Sequence, residues 1–302
     1  MNKALIICGP TCSGKSSLAH LLAQKRNGEI VNIDSMQIYK DIPIITASPS
    51  EKLKEELPYH LYNFQDIDQL FSSVKYTKLA SEVIKEISTR GRLPIIVGGT
   101  GMYINSLMNG YSEIPEISTE VKKEVESLRQ HLGQEEFYLK LTTIDRFAAE
   151  RLKAFDKQRT IRAYEVITQT GKSIFEFQTE KNYKPLPEFD FEVIYLKPER
   201  TFLYDTVNRR LELMFKNGAI EEVKAVQNLL EANSHIKAVG VQEILGYLSG
   251  NISLQEALIL AQTRTRQYAK RQITWFNNQI KSSQVMEFSN ELEFLKVCDE
   301  II

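Results

Sequence analysis

Gly9-Pro10-Thr11-Cys12-Ser13-Gly14-Lys15-Ser16 decides the fold, because it fits the phosphate-loop spacing G-x-x-x-x-G-K-[ST] and lies between two complementary patterns. Upstream, Ala4-Leu5-Ile6-Ile7-Cys8 is an unbroken apolar run that reads as a buried parallel strand. Downstream, Ser17-Leu18-Ala19-His20-Leu21-Leu22-Ala23 carries apolar residues at helical spacing. Strand, glycine-rich loop and helix in that order predict an α/β protein with a P-loop NTPase-like parallel sheet flanked by helices. The N–H groups of such a loop and the positive end of its helix converge on phosphate oxygens, Lys15 adds a mobile cation, and the Ser16 hydroxyl can ligate magnesium. The residues from Gly9 to Ser16 are therefore expected to bind a diphosphate or a nucleotide. A turn shaped by glycines with no ligand is the competing reading, and the loop does not choose among kinase, ATPase, GTPase and other phosphate users.

Two further strands are legible. Glu29-Ile30-Val31-Asn32-Ile33-Asp34 ends in a carboxylate, and Leu93-Pro94-Ile95-Ile96-Val97 ends in Gly98-Gly99-Thr100. The carboxyl ends of parallel strands border the ligand cleft. From about 114 to 187 strand signals vanish, charged amphipathic helices dominate, and prolines bracket the stretch, so 113–189 reads as a helical insertion domain. The core is then 1–112 with 190–302, where Phe191-Glu192-Val193-Ile194-Tyr195-Leu196 resumes a strand and helices run nearly to the end.

With 302 residues, 42% hydrophobic and 25% charged, the chain can bury a large core and falls outside the disordered and fibrous classes. Three cysteines cannot all pair and have no metal-ligand spacing, which suits a reduced, cytoplasmic setting. No segment has the apolar length to span a bilayer, and no cleavable leader pattern precedes the loop. A net charge of −1 leaves nucleic acid open, since local clusters matter more than the sum.

The strand before Gly98 lacks the terminal acid with which nucleotide-hydrolysing enzymes hold magnesium or orient water, which argues against an ATPase. Asp34, at the tip of the neighbouring strand, reads as a general base beside bound phosphates or as a strand-end turn residue. Between 200 and 216, Leu203, Val207, Leu211 and Met214 form an inward helical stripe; Arg210 falls on its edge and Arg209 lies about 100° further round. An inward arginine must find an anion or an internal carboxylate, so Arg210 is either a diphosphate clamp or half of a salt bridge. Between 257 and 283, Arg264, Arg266, Lys270, Arg271 and Lys281 occur without an acid, interleaved with Tyr268 and Trp275. That pattern suits a nucleic-acid backbone with a stacked base, or a solvated helix with Trp275 in the core. A second basic pair, Arg159 and Arg162, lies in the insertion.

Together these segments resemble bacterial tRNA dimethylallyltransferases. The phosphate loop, Asp34-Ser35-Met36-Gln37-Ile38-Tyr39, Val97-Gly98-Gly99-Thr100-Gly101-Met102-Tyr103, Gln158-Arg159-Thr160-Ile161-Arg162-Ala163-Tyr164-Glu165-Val166 and Tyr268-Ala269-Lys270-Arg271-Gln272-Ile273-Thr274-Trp275-Phe276 look like that family's signatures, in the same order. The resemblance implies transfer of a dimethylallyl group from dimethylallyl diphosphate to N6 of adenosine 37 in tRNA, with Mg2+. It implies Asp34 as the base, Thr100 on the diphosphate, Arg210 as a clamp and Ser16 at the metal. For tRNA it implies contacts from Asp34, Ser35, Met36, Gln37, Thr100, Lys122, Gln158, Arg159, Thr160, Ile161, Arg162, Lys270 and Arg271. A monomer without a membrane partner is the expected state. The chain departs from the family where Ile45-Thr46-Ala47-Ser48-Pro49 replaces Gly-Thr-Ala-Lys-Pro, where Val241 replaces a tyrosine, and where Asn277 replaces an arginine. A P-loop small-molecule kinase, a prenyltransferase acting on free AMP and a noncatalytic RNA-binding protein are the alternatives.

Overall fold

The computed structural model describes residues 1–69, 71–180, 183–233 and 235–301. The chain divides into two compact units, one made of Met1–Met108 with Pro185–Ile302 and the other of Asn109–Lys184.

The first unit is built on strands β1 (Asn2–Cys8), β2 (Gly28–Asn32), β3 (Tyr59–His60), β4 (Leu93–Gly98), β5 (Phe189–Pro198) and β6 (Gln284–Phe288), all parallel in the order β3-β2-β4-β1-β5-β6. Central β1 sets Ile6 opposite Ile96 on one side and Val193 on the other. Its side chains alternate between two cores: Ala4, Ile6 and Cys8 enter the larger, while Leu5 and Ile7 enter the smaller with Leu18 and Leu22. A strand covered on both faces has no polar side to display, which is why its sequence is an unbroken apolar run.

Helices α1 (Lys15–Lys25), α2 (Glu51–Glu56), α3 (Ser73–Thr89) and α4 (Gly101–Asn109) follow the first strands. The Asn109–Lys184 unit contributes α5 (Thr119–Ile144), α6 (Arg146–Arg151), α7 (Lys157–Thr170) and α8 (Ile174–Thr179) around its own core of Val125, Phe137, Leu141, Ala148, Leu152, Ala163 and Tyr164. Its turns are fixed by buried Asp145, which accepts from Phe147 N–H at 3.0 Å and from the Ser173 hydroxyl at 2.8 Å. The first unit then closes with α9 (Arg200–Lys216), α10 (Ala219–Ala225), α11 (Gln227–Ala232), α12 (Val241–Leu248), α13 (Leu254–Gln279) and α14 (Glu291–Ile301).

The C-terminal stretch corrects the expectation of helices to the end. β6 pairs with β5, Tyr195 opposite Val285, and of its five residues only Phe288 is buried. A solvent-facing edge strand carries no apolar run, so its sequence hides it. β2 also stops at Asn32, short of the expected carboxylate, leaving Asp34 in the turn beyond the strand.

Candidate active site

The loop after β1 leads directly into α1, whose N-terminus is capped by Gly14 in the left-handed conformation, φ 81°. Thr11 to Ser16 line a cavity of ≈ 280 Å³ with Asp34, Gln37, Thr46, Gly98 and Arg210. Lys15 Nζ donates to the Pro10 carbonyl at 2.6 Å. Burial pulls the Lys15 ammonium down to about 8, against the opposing pull of Asp34. A lysine whose charge is disfavoured by burial gains from an anion, which would favour the charged form.

Arg210 is half-buried where Arg209 is exposed, so the two neighbours have different surroundings. The Arg210 guanidinium donates to the Thr11 hydroxyl at 2.6 Å, its buried Nε has no partner, and it forms no salt bridge among the described residues. A buried guanidinium N–H without a partner is unfavourable, and the residue that carries it lines the cavity.

Asp34 is positioned by Asn32, a fully buried side chain that accepts from the Asp34 N–H at 2.8 Å and donates to its carbonyl at 3.1 Å. One carboxylate oxygen of Asp34 accepts from Met36 N–H at 2.9 Å. Asp34, Thr11, Thr46 and Arg210 line not only the phosphate cavity but also a second cavity of ≈ 170 Å³. Its other walls include Met36, Ile45, Leu211, Met214, Val239 and Tyr268. The loop cavity and the more apolar cavity beyond it therefore share the Asp34 carboxylate.

Thr100 is engaged with the Asp34 segment, its Oγ1 accepting from Ser35 N–H at 3.0 Å, and it does not line the phosphate cavity. Gln37 likewise spends its amide on the loop opposite, donating to the Thr46 and Ala47 carbonyls at 3.1 and 2.8 Å. That loop carries the departure at Ile45, whose buried side chain lies against Gly240. Its backbone is held by the Glu222 carboxylate, which accepts from Ile44 N–H at 2.6 Å and Ile45 N–H at 2.9 Å. Val241 is fully buried and Asn277 exposed.

On α13 the basic residues divide. Arg264 pairs with buried Glu243 at 2.5 Å and Arg266 donates to Asn208 at 2.6 Å, whereas Lys270 and Arg271 are exposed and form no salt bridge among the described residues. Trp275 packs against Gly101 on one side and on another lines a groove of ≈ 560 Å³ with Lys270 and Arg271, whereas Tyr268 lines the cavity beside Asp34, with the Arg271 guanidinium 5.7 Å from its ring centroid. In the other unit Lys122, Gln158 and Arg159 are exposed, and Ile161 and Arg162 half-buried. Thr160 is fully buried with its hydroxyl bonded to the Gln134 amide at 3.0 Å, so it packs the helix and leaves its exposed neighbours to face outward.

Asn32, Glu222 and Gln272 escaped the sequence reading as site residues. Asn32 and Gln272 fell within quoted runs, but no spacing marks a buried amide as the support of a loop. A larger groove of ≈ 620 Å³ around Lys197, Arg200 and Lys270, in which Lys197 pairs with Glu287 at 2.6 Å, has no phosphate loop. The phosphate cavity is the site on chemical grounds.

Fold and site define a P-loop-like α/β protein whose cavity has a phosphate-loop motif at one end and apolar and aromatic walls at the other, with no acid ending the strand before Gly98. The IPP transferase family model matches residues 37–279, and the chain belongs to that family. It is 53% identical to a tRNA dimethylallyltransferase of Rickettsia bellii (strain OSU 85-389), over 97% of this chain and 93% of that protein. A tRNA dimethylallyltransferase of Rickettsia felis (strain ATCC VR-1525 / URRWXCal2) is likewise 53% identical, with 98% and 97% covered. Among solved structures, the tRNA isopentenylpyrophosphate transferase of Bacillus halodurans is 32% identical with a TM-score of 0.69, over 100% of this chain and 96% of that one. A eukaryotic dimethylallyltransferase solved acting on tRNA superposes with a TM-score of 0.79 at 29% identity, covering 96% of this chain and 75% of that one.

Proposed function

We propose that this protein is a tRNA dimethylallyltransferase, moving the dimethylallyl group of dimethylallyl diphosphate to N6 of adenosine 37 in tRNA and releasing diphosphate. The observation that carries the reading is the meeting of two cavities at Asp34, Thr11, Thr46 and Arg210 in a chain of this family. The C1–O bond of the donor breaks as the N6–C1 bond forms, and negative charge gathers on the departing diphosphate. The phosphate loop, Lys15 and Arg210 line the cavity where that charge would gather, and fixed donors are most effective there. Asp34 takes the proton lost by N6; its hydrogen bond from Met36 N–H leaves the second carboxylate oxygen for that role.

Magnesium fits this site because the exposed Ser16 hydroxyl at the α1 N-terminus is a hard oxygen donor beside the phosphate position. When bound, the ion neutralises charge on the leaving diphosphate. Adenine must leave the anticodon-loop stack to reach Asp34, and the cavity wall from Ser35 to Met36 with Tyr268 offers it an edge and a ring. Lys270 and Arg271 on α13, and separately Lys122, Gln158, Arg159, Ile161 and Arg162 in the helical unit, are the proposed tRNA contacts. No helix among the described residues is long and apolar enough to cross a membrane.

The test is to incubate the protein, Mg2+ and dimethylallyl diphosphate with unmodified tRNA or with AMP, and to resolve products by mass spectrometry. Prenylated adenosine in tRNA alone is the expected result. Product on AMP would transfer the reading to free-nucleotide prenylation, and ATP-dependent phosphorylation of a small molecule without prenyl transfer would replace it with a kinase.

A further inference from the structure

We infer that Gln272 is a positioning residue that sets the phosphate loop against the strand-end turn carrying Thr100, and through it against Asp34; its role in the reaction rests on the function proposed above. Gln272 lies on α13, more than 170 residues from the turn and more than 260 from the loop, and is only 6% exposed. Its Oε1 accepts from Thr11 N–H at 2.8 Å, and its Nε2 donates to the Gly99 carbonyl at 2.9 Å. One planar amide thus fixes two backbones at once, with both of its polar ends used.

Each bond continues into the site. Thr11 is the residue whose hydroxyl accepts from Arg210, so holding its backbone also holds the guanidinium. Gly99 precedes Thr100, whose Oγ1 accepts from Ser35 N–H beside Asp34. Among the described residues, no other side-chain hydrogen bond joins the phosphate loop to the β4–α4 turn. The turn is shaped to admit the helix: a Cβ on Gly99 would strike the Gln272 amide, and one on Gly101 would lie inside the Trp275 ring. Gln272 and Trp275, one helical turn apart on α13, seat on glycines two residues apart in the turn. The glycines therefore serve the approach of α13 as well as the end of the strand.

Displacing a reacting group by about 1 Å costs up to ~10²-fold in rate, which is the scale on which a lost tie would register. Gln272→Met keeps the volume and removes both bonds; Gln272→Glu keeps the acceptor for Thr11 N–H but turns a carboxylate oxygen toward the Gly99 carbonyl. For Gln272→Met we expect kcat to fall ~10–10²-fold and inorganic pyrophosphate to bind more weakly by calorimetry, with the KM for tRNA unchanged. Gln272→Glu should lose rate to a similar extent, and Gln272→Met combined with Thr100→Val should cost less than the product of the single effects. A lowered melting temperature with unchanged kcat and pyrophosphate affinity in both variants would reduce Gln272 to packing and overturn the inference. Fully multiplicative effects with Thr100→Val would overturn the link to Asp34. Pyrophosphate binding does not depend on the acceptor, so a wild-type enzyme inactive on tRNA would refute the proposed function while leaving the loop tie separately testable.

Discussion

The two ends of the cavity are made in opposite ways. The phosphate end takes its main wall from seven consecutive residues, Thr11 to Ser17, between β1 and the first turn of α1. The acceptor end is collected from Ser35 and Met36, Ile45 and Thr46, Arg210, Leu211 and Met214, Lys237 to Val239, and Thr265 with Tyr268. Binding two linked phosphates is a general task that backbone N–H groups perform, whereas choosing an acceptor depends on side chains that only tertiary packing brings together.

Asp34 belongs to both ends, and its removal should have the largest effect. Asp34→Ala is expected to lower the chemical step ~10²–10⁴-fold in single-turnover assays while tRNA affinity stays nearly unchanged; equal losses of rate and binding would make it an acceptor-end contact instead. Arg210→Ala should act chiefly at the phosphate end, lowering kcat/KM ~10²-fold through use of the diphosphate substrate. An unaltered dependence on donor concentration would contradict that. The pH dependence follows the same end. In the free protein Lys15 loses its proton as pH rises through about 8, while a bound diphosphate favours the charged form. Pyrophosphate affinity should therefore decline above that pH, by up to ~10-fold per unit, as calorimetry in matched buffers would reveal. Glu222→Gln should have the smallest effect, because it leaves one of two bonds to the Ile44–Ile45 backbone: a change of a few-fold in the KM for tRNA, with the diphosphate KM constant, on the basis of ~1 kcal/mol per bond.

The contrast also explains what the sequence disclosed. The phosphate loop, β1, β4 and β5 were legible because each is a contiguous run whose pattern follows from burial on both faces. The inward lean of Arg210 was legible from helical periodicity, since its neighbours on the stripe, Leu203, Val207, Leu211 and Met214, are all buried. Gln272 was not, because its importance comes from Thr11 and Gly99, residues that periodicity on α13 cannot point to. Glu222 was hidden for the same reason, a carboxylate whose partners are backbone N–H groups far away in sequence. Trp275 shows the limit of composition: basic residues interleaved with aromatics suggested stacking for either ring, and only packing set Trp275 between Gly101 and the Lys270–Arg271 groove and placed Tyr268 on the cavity beside Asp34.

The seating of Trp275 on Gly101 has a practical consequence. It is the single tryptophan of the chain, placed one residue beyond Thr100 and one helical turn from Gln272. Selective excitation of indole would therefore monitor the strand-end turn and the groove that Trp275 lines with Lys270 and Arg271, without labels or engineered probes. The emission of that one fluorophore gives a spectroscopic gauge of whether diphosphate and nucleic acid perturb the turn together or in sequence.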